Sequence, residues 1–370
     1  MESNSKTNNN KSNVSRLCGL RKKSSVNSTE KQDLITQLAD DYLESLANRK
    51  LFSGSILIAQ NNQILLIKGY GCAEYICQEK NTSQTIFRTG SVTKPFTAII
   101  ILKLYERKQL NLDNKLSIYC PDYPHGNQIT IKHLLSNTSG IEDYTDLEVF
   151  ENKCHESLTI DQVIEMFKDE PLQFKPGSKY RYSNSNYILL GLIIEKVTGK
   201  SYELNLQEFI LQPCQMKDTG YECDCNPALQ SDNNNKRADG YVCSTDSNGF
   251  ESCRFINMST ARSAGGIYST VEDLYRLDRY LYGETILNKR TKNMMFKPVR
   301  EHYALGWEIY RLKHRRIKQQ HTGEIFGFTS CLARFPNDNA CIILLSNVED
   351  ISLHDIIEQL TDILFQQNKN

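Results

Sequence analysis

The stretch FRTGSVTKPFTA, residues 87 to 98, sets Ser91 and Lys94 three positions apart where an apolar run, FTAIIILKLYERKQL, begins. That run has apolar residues near helical spacing and ends in charge, so it reads as a mostly buried helix. Gly90 and Ser91 form its entry, and Pro95 is tolerated only near the first turn, where a missing N–H does least harm. Ser91 and Lys94 then share one helix face, at the end where N–H groups are free and the dipole is positive. A nucleophile can be generated there and an oxyanion held. The same spacing is also an ordinary way to cap a helix, so it needs partners elsewhere in the chain before it carries a function.

Composition narrows the classes. Across 370 residues, 44 Lys and Arg balance 44 Asp and Glu, so no broad basic surface for nucleic acid is implied. No apolar run reaches the roughly 18 residues of a membrane span; AIIIL and ILLGLII are of core length. Residues 1–32 are predicted to be a disordered tail, rich in Ser and Asn, with six Lys or Arg against two Glu in the first 30. The tail holds no apolar signal-peptide core, which points to the cytoplasm or to export without a Sec signal. A mitochondrial presequence is the lesser reading, because no amphipathic apolar face accompanies the basic residues. The twelve cysteines are scattered without a C-x-x-C pair, the nearest being Cys72/Cys77, Cys223/Cys225 and Cys243/Cys253, and read as reduced thiols. The spacing of Cys214, Cys223, Cys225, Cys243 and Cys253 fits no zinc pattern, so neither metal nor cofactor is expected.

Along the chain, DLITQLADDYLESLANRK carries a helical stripe, and FSGSILIAQNNQILLIKGYGCA gives two β-rich runs around Asn61-Asn62, a hairpin signal. Residues 112–256 change character, with helical segments such as NYILLGLIIEKVTG joined by polar loops. Strands return in HYALGWEIYR, RRIKQQHTG, FTSCLARFPN and ACIILLSN, before a last helix, SLHDIIEQLTDILFQQ. The expected fold is α/β of the α+β type. An antiparallel sheet flanked by helices is built from both chain ends (33–111 and 257–370), with 112–256 inserted as an all-α lobe.

Two further motifs give Ser91 its partners. In PGSKYRYSNSNYILLG, an extended approach to the helix points Tyr182 and Asn184 the same way, because the period is two. In QQHTGEIFGFTS, His321-Thr322-Gly323 closes a strand where glycine permits close backbone approach. Each alone has a plain explanation, as a core aromatic, a cap or a strand residue. Together, in this order, they resemble the serine β-lactamase superfamily in its class C, penicillin-binding-protein and esterase branch, over roughly residues 35 to 365. The phrases ITIKHLLSNTSGIEDY, AGGIYSTVEDL, LGW and IILLSN support the match. Instead of the S-D-N and K-T-G partners of the Ser-x-x-Lys signature, this chain carries Y-S-N and H-T-G.

The resemblance implies Ser91 as acylated nucleophile, with Lys94 and Tyr182 sharing the acid/base work. It implies Asn184, His321, Thr322 and Gly323 in substrate binding and orientation, and the backbone N–H groups of Ser91 and Glu324 as oxyanion hole. Three functions are carried forward. The first is a serine hydrolase cleaving an ester or small amide. The second is a D-amino-acid peptidase, penicillin-binding protein or β-lactamase, and the third a catalytically silent scaffold or filament-forming protein. Intact Ser91, Lys94 and Tyr182 argue against the third. The partner expected is a small ester or peptide, not nucleic acid. His321, where the resemblance puts the Lys of K-T-G in typical drug-hydrolysing members, is expected neutral near pH 7, and the Glu324 carboxylate to stand at the cleft mouth and repel anions.

Overall fold

Asn61 and Asn62 both take positive φ, 53° and 63°, the combination that matches a two-residue turn to the twist of its strands. They join β1 (Gly54–Gln60) to β2 (Gln63–Tyr70) behind a first helix, α1 (Ser28–Asn48). The computed structural model describes residues 28–76, 78–222, 236–244 and 249–365. Helix α1 takes in residues 28 to 32, which composition assigns to the tail, because STEKQD is a helix-start pattern with Glu30 in the first turn. The rest of the predicted tail lies outside the described residues.

The buried run after Ser91 is α2 (Thr93–Glu106), and the Y-S-N motif opens α3 (Asn184–Thr198). Both are hydrophobic nearly all round, as helices enclosed by protein are: Phe96, Ile99, Leu102, Ile188, Leu190 and Ile193 are each 0% exposed. After α4 (Val271–Tyr280) come β3 (Glu308–Arg311), β4 (Ile317–Ile325), β5 (Phe328–Phe335), β6 (Ala340–Ser346) and the closing helix α5 (Leu353–Phe365). The six strands form one antiparallel sheet in the order β3-β4-β5-β6-β1-β2, so the two chain ends meet along β1 and β6.

Alternation divides each central strand between two cores. Ile56, Ile58, Ile342 and Leu344 pack under α1 and α5, while Leu57, Ile343 and Leu345 join the larger core that holds α2 and α3. Both faces are covered, which is why β6 reads as an unbroken apolar run.

Within 112–256 the helices hold as far as Cys214. Beyond it, Gly220–Tyr221 joins Ile267–Ser269 and Phe87–Arg88 in a three-stranded sheet, and Tyr241–Cys243 pairs with Phe250–Ser252. The inserted segment is therefore not helical throughout. Two- and three-residue strands set among polar turns leave no period to read. The small sheet holds the approach to Ser91, with Thr89 bonded to the Ile267 carbonyl through both its N–H and its hydroxyl, each at 2.9 Å.

Candidate active site

Ser91 sits in a single 3₁₀ turn, Gly90–Val92, that runs directly into α2. Gly90 takes φ +48°, and a Cβ there would meet the Glu324 backbone at 2.7 to 2.9 Å. Facing it, a Cβ on Gly323 would stand 2.1 Å from the Thr89 carbonyl and 2.9 Å from the Ser91 nitrogen. Two glycines thus let the end of β4 lie against the turn that carries Ser91. Ser330 on β5 ties the same region, donating to the Thr89 carbonyl at 2.7 Å. In the β4–β5 ladder Ile325 opposes Phe328 across a two-residue turn. Alternate β4 residues then direct their N–H away from that ladder, and Glu324 is one of them.

The Ser91 hydroxyl has two donors within reach, Lys94 Nζ at 2.8 Å and the Tyr182 hydroxyl at 2.7 Å. Extended backbone at Ser183 (φ −154°, ψ 122°) and the start of α3 at Asn184 turn Tyr182 and Asn184 to one side, toward Ser91 and Lys94. Lys94 Nζ also donates to Asn184 Oδ1 at 2.7 Å and to the Ala264 carbonyl at 2.9 Å. Behind Asn184, its Nδ2 donates to Asp143 Oδ2 at 2.9 Å and to Thr145 Oγ1 at 3.2 Å. The structure thus brings Ser91, Lys94, Tyr182 and Asn184 into one hydrogen-bonded group. Asp143, Thr145 and the Ala264 carbonyl complete it, and sequence reasoning did not single these out. Asp143 had one local signal, an Asp at the entry of a short turn, where it accepts from Thr145 N.

Burial sets the protonation of this group. Lys94 is 0% exposed, and desolvation lowers its pKa to about 7, against a smaller upward pull from Asp143. Desolvation also drives the Tyr182 hydroxyl well above its ordinary value, only partly offset by its bond to Ser91. Tyr182 is therefore a phenol near neutral pH, and Lys94 is the group poised between its two charge states.

His321 is 1% exposed. Its Nδ1 lies 2.6 Å from the Thr322 carbonyl, which can only accept, so Nδ1 carries the proton and Nε2 accepts from the Tyr303 hydroxyl at 3.1 Å. Burial lowers its pKa to about 4. It is a neutral imidazole fixed on both nitrogens. Glu324 is exposed at the rim, close to Glu349 and Asp350, and its pKa is raised to about 7 by desolvation, a hydrogen bond with Asp350 and the two neighbouring charges. These three carboxylates are the one group with metal-ligand spacing among the described residues.

Ser91 opens onto two hollows. A cleft of about 660 Å³ runs along β4 toward α5 and includes Tyr182, Thr322 and Glu324 in its wall. A smaller one of about 240 Å³ lies on the other side, between Phe150, Ile256 and Phe326. Of the cysteines in the set considered for metal, Cys214 is buried and Cys243 exposed, while Cys223 and Cys225 lie outside the described residues. No helix among the described residues is long and apolar enough to cross a membrane.

The chain is 28% identical over 341 residues to penicillin-binding protein 4* of Bacillus subtilis (strain 168), a match spanning 88% of this chain and 75% of that protein. It is 32% identical over 320 residues to Protein flp of Staphylococcus aureus (strain MW2), covering 83% of this chain but only 61% of that relative's length. Among solved structures, the D-amino acid amidase from Ochrobactrum anthropi SV3 complexed with L-phenylalanine amide superposes with a TM-score of 0.79, over 90% of this chain and 99% of that one. At 22% identity this is a likeness of fold. Residues 33–357 match the Beta-lactamase family, and the chain belongs to that family of serine hydrolases.

Proposed function

We propose that the protein hydrolyses D-amino-acid-terminated peptides or amides through an acyl-enzyme on Ser91. This is the second of the functions read from the sequence, not the simple ester hydrolase placed first. The comparisons favour it: the relatives include a penicillin-binding protein, and the fold is shared with a D-amino acid amidase. The observation that carries the chemistry is the pair of contacts on Ser91 Oγ, 2.8 Å to Lys94 Nζ and 2.7 Å to the Tyr182 hydroxyl.

In the reactive state Lys94 is the neutral amine. Ser91 Oγ attacks the substrate carbonyl carbon as its proton passes to Lys94 Nζ. The oxygen that gains charge accepts from the N–H groups of Ser91 and Glu324. When the C–N bond breaks, the leaving amine takes a proton from the Tyr182 hydroxyl, which Lys94 restores. Water then attacks the ester by the reverse route. Asn184 holds Lys94 in place, itself held by Asp143 and Thr145. Neutral, buried His321 acts as a positioning residue behind Tyr182 and Tyr303, supplying no cation for a substrate carboxylate.

The test is labelling with a fluorescent fluorophosphonate and a fluorescent penicillin, with mass mapping of the adduct. Both labels are expected on Ser91, and Ser91→Ala should abolish them and lower turnover of a D-alanyl-D-alanine peptide by several orders of magnitude, roughly 10⁴-fold or more. Undiminished labelling of Ser91→Ala ends the assignment.

A further inference from the structure

The Tyr182 hydroxyl meets Ser91 Oγ at 2.7 Å, and its ring alone does not hold it there. The ring packs edge-on to Tyr303, with centroids 6.4 Å apart, and tilted against His321 at 6.3 Å. Such packing limits how the ring tilts. With only two side-chain torsions, the reach of the hydroxyl toward Ser91 follows from where the backbone of residues 181–183 lies.

That backbone is held by LLSNTSG, residues 134 to 140, which supplies no member of the group around Ser91. Asn137 bonds both neighbours of Tyr182. Its carbonyl accepts from Arg181 N at 3.0 Å, and its Oδ1 from Ser183 N at 3.4 Å. It is 0% exposed and takes φ +54°, a left-handed conformation that Asn and Gly adopt more readily than other residues. Asn186 Nδ2 donates to the same Oδ1 at 2.9 Å and to the Ser183 carbonyl at 3.3 Å. Asn186 Oδ1 in turn accepts from Ser139 Oγ at 2.5 Å. Because Asn186 lies on α3, two residues past Asn184, the network ties the approach to Tyr182 to the helix that carries Asn184. Asn137 Nδ2 is buried without a partner, so the side chain is held for its oxygen alone. A left-handed backbone and an orphaned buried amide at one residue are each costly, and such features gather where a reacting group is being placed.

We propose that Asn137 is a positioning residue: by bonding the backbone on both sides of Tyr182, it sets that hydroxyl where it protonates the leaving group. The inference rests on the acyl-enzyme reading above, in which Tyr182 donates to the departing amine. Its consequence is selective. A misplaced Tyr182 hurts most where the leaving group needs a proton. An amine needs one, ethoxide nearly as much, and nitrophenolate departs without it. A residue that merely supports the fold would slow all three alike.

The readout is kcat/KM, which reports acylation, for one acylated D-alanine carrying three leaving groups: D-alanine, ethanol and nitrophenol. Asn137→Gly suits the positive φ and keeps the carbonyl that Arg181 uses. It should lower kcat/KM about tenfold or more for the peptide, less for the ethyl ester, and less than about twofold for the nitrophenyl ester. Asn137→Asp, which returns an oxygen to Ser183 N, should recover most of the peptide rate. Tyr182→Phe should show the same order of losses at larger size. Ser139→Ala loosens the network from its far end and should show that order at about threefold; it decides the question if Asn137→Gly does not fold. Fluoride also leaves without a proton, so fluorophosphonate labelling of Ser91 at the parent's rate is the fold control. Equal losses on all three substrates, peptide turnover at the parent's rate, or no recovery in a folded Asn137→Asp overturns the proposal. Failure of the peptide reading has a separate signature, a parent enzyme that cleaves both esters but not the peptide, and the ratio of the two esters then tests Asn137.

Discussion

Two lysines are withdrawn from water around one cleft, and they differ in everything else. Lys94, 0% exposed, has three oxygen acceptors within 2.9 Å: Ser91, Asn184 and Ala264. Lys318, 7% exposed, has none among the described residues and lies by the Tyr310 ring and near the Cys331 thiol. Burial alone therefore does not mark a working residue. A proton carrier needs its partners already in place, so that the transfer costs no rearrangement. A binding group needs them missing, so that the ligand supplies what the protein left open.

The largest effect should come from the closed end. Lys94 and Tyr182 both contact Ser91 Oγ and serve one proton path, so their losses should not add. Lys94→Ala and Tyr182→Phe are each expected to lower kcat/KM by roughly 10³-fold or more, and the double variant to be little worse than the weaker single one. A double-mutant cycle on a neutral peptide substrate measures this. Additive losses would mean that Lys94 works apart from Tyr182, and that the closed end is two devices.

What could be read in the sequence follows the same division. Ser91 and Lys94 were legible because i and i+3 share a helix face, and Tyr182 and Asn184 because an extended approach has a period of two. The hairpin at Asn61-Asn62 was legible because few residues tolerate two successive positive φ values. Asp143 was not, since it meets Asn184 across 41 positions of chain and carries no periodic signal. The short strands after Cys214 were lost among turns for want of length. Lys318 and Gln320 sat in plain view in RRIKQQHTG, where alternation puts them on one face with Thr322. That β3 would bury that face was not in the pattern, and without burial an exposed Lys and Gln carry no argument.

A medium effect tests the electrostatics of the closed end. If neutral Lys94 is the base, kcat/KM should rise with pH through a pKa near 7. The Asp143 charge pulls that pKa upward, against the larger downward pull of burial. Asp143→Asn removes the upward pull, so the acid limb of the pH–rate profile should move to lower pH. Because the Asn side chain keeps an oxygen for Asn184 Nδ2, the plateau should fall less than in Lys94→Ala. A limb that stays in place, or moves to higher pH, would show that the titrating group is not Lys94.

The smallest effect lies at the rim, where Glu324 stands between the closed and open ends. Its carboxyl pKa is raised to about 7 by desolvation first, then by its bond to Asp350 and the charges of Asp350 and Glu349. Below that pKa the group is neutral and does not oppose an anionic substrate; above it the added charge does. At a separation of about 6 Å and an effective dielectric near 20, like charges repel by on the order of 3 kcal/mol, and exposure to solvent and salt reduces this considerably. The expected result is that Glu324→Gln raises kcat/KM for a D-alanyl-D-alanine peptide carrying one added carboxylate roughly three- to tenfold at pH 8, with little change at pH 6 and little change at either pH for the same peptide with that carboxylate amidated. The backbone N–H of residue 324, which the oxyanion proposal uses, survives the substitution, so the gain reports the side chain alone. Raising the salt from about 0.05 to 0.5 M should shrink the gain, as screening requires. An equal gain at pH 6 would mean that the carboxylate is already charged there and that the acidic rim does not share a proton. No gain at pH 8 would place the repulsion elsewhere.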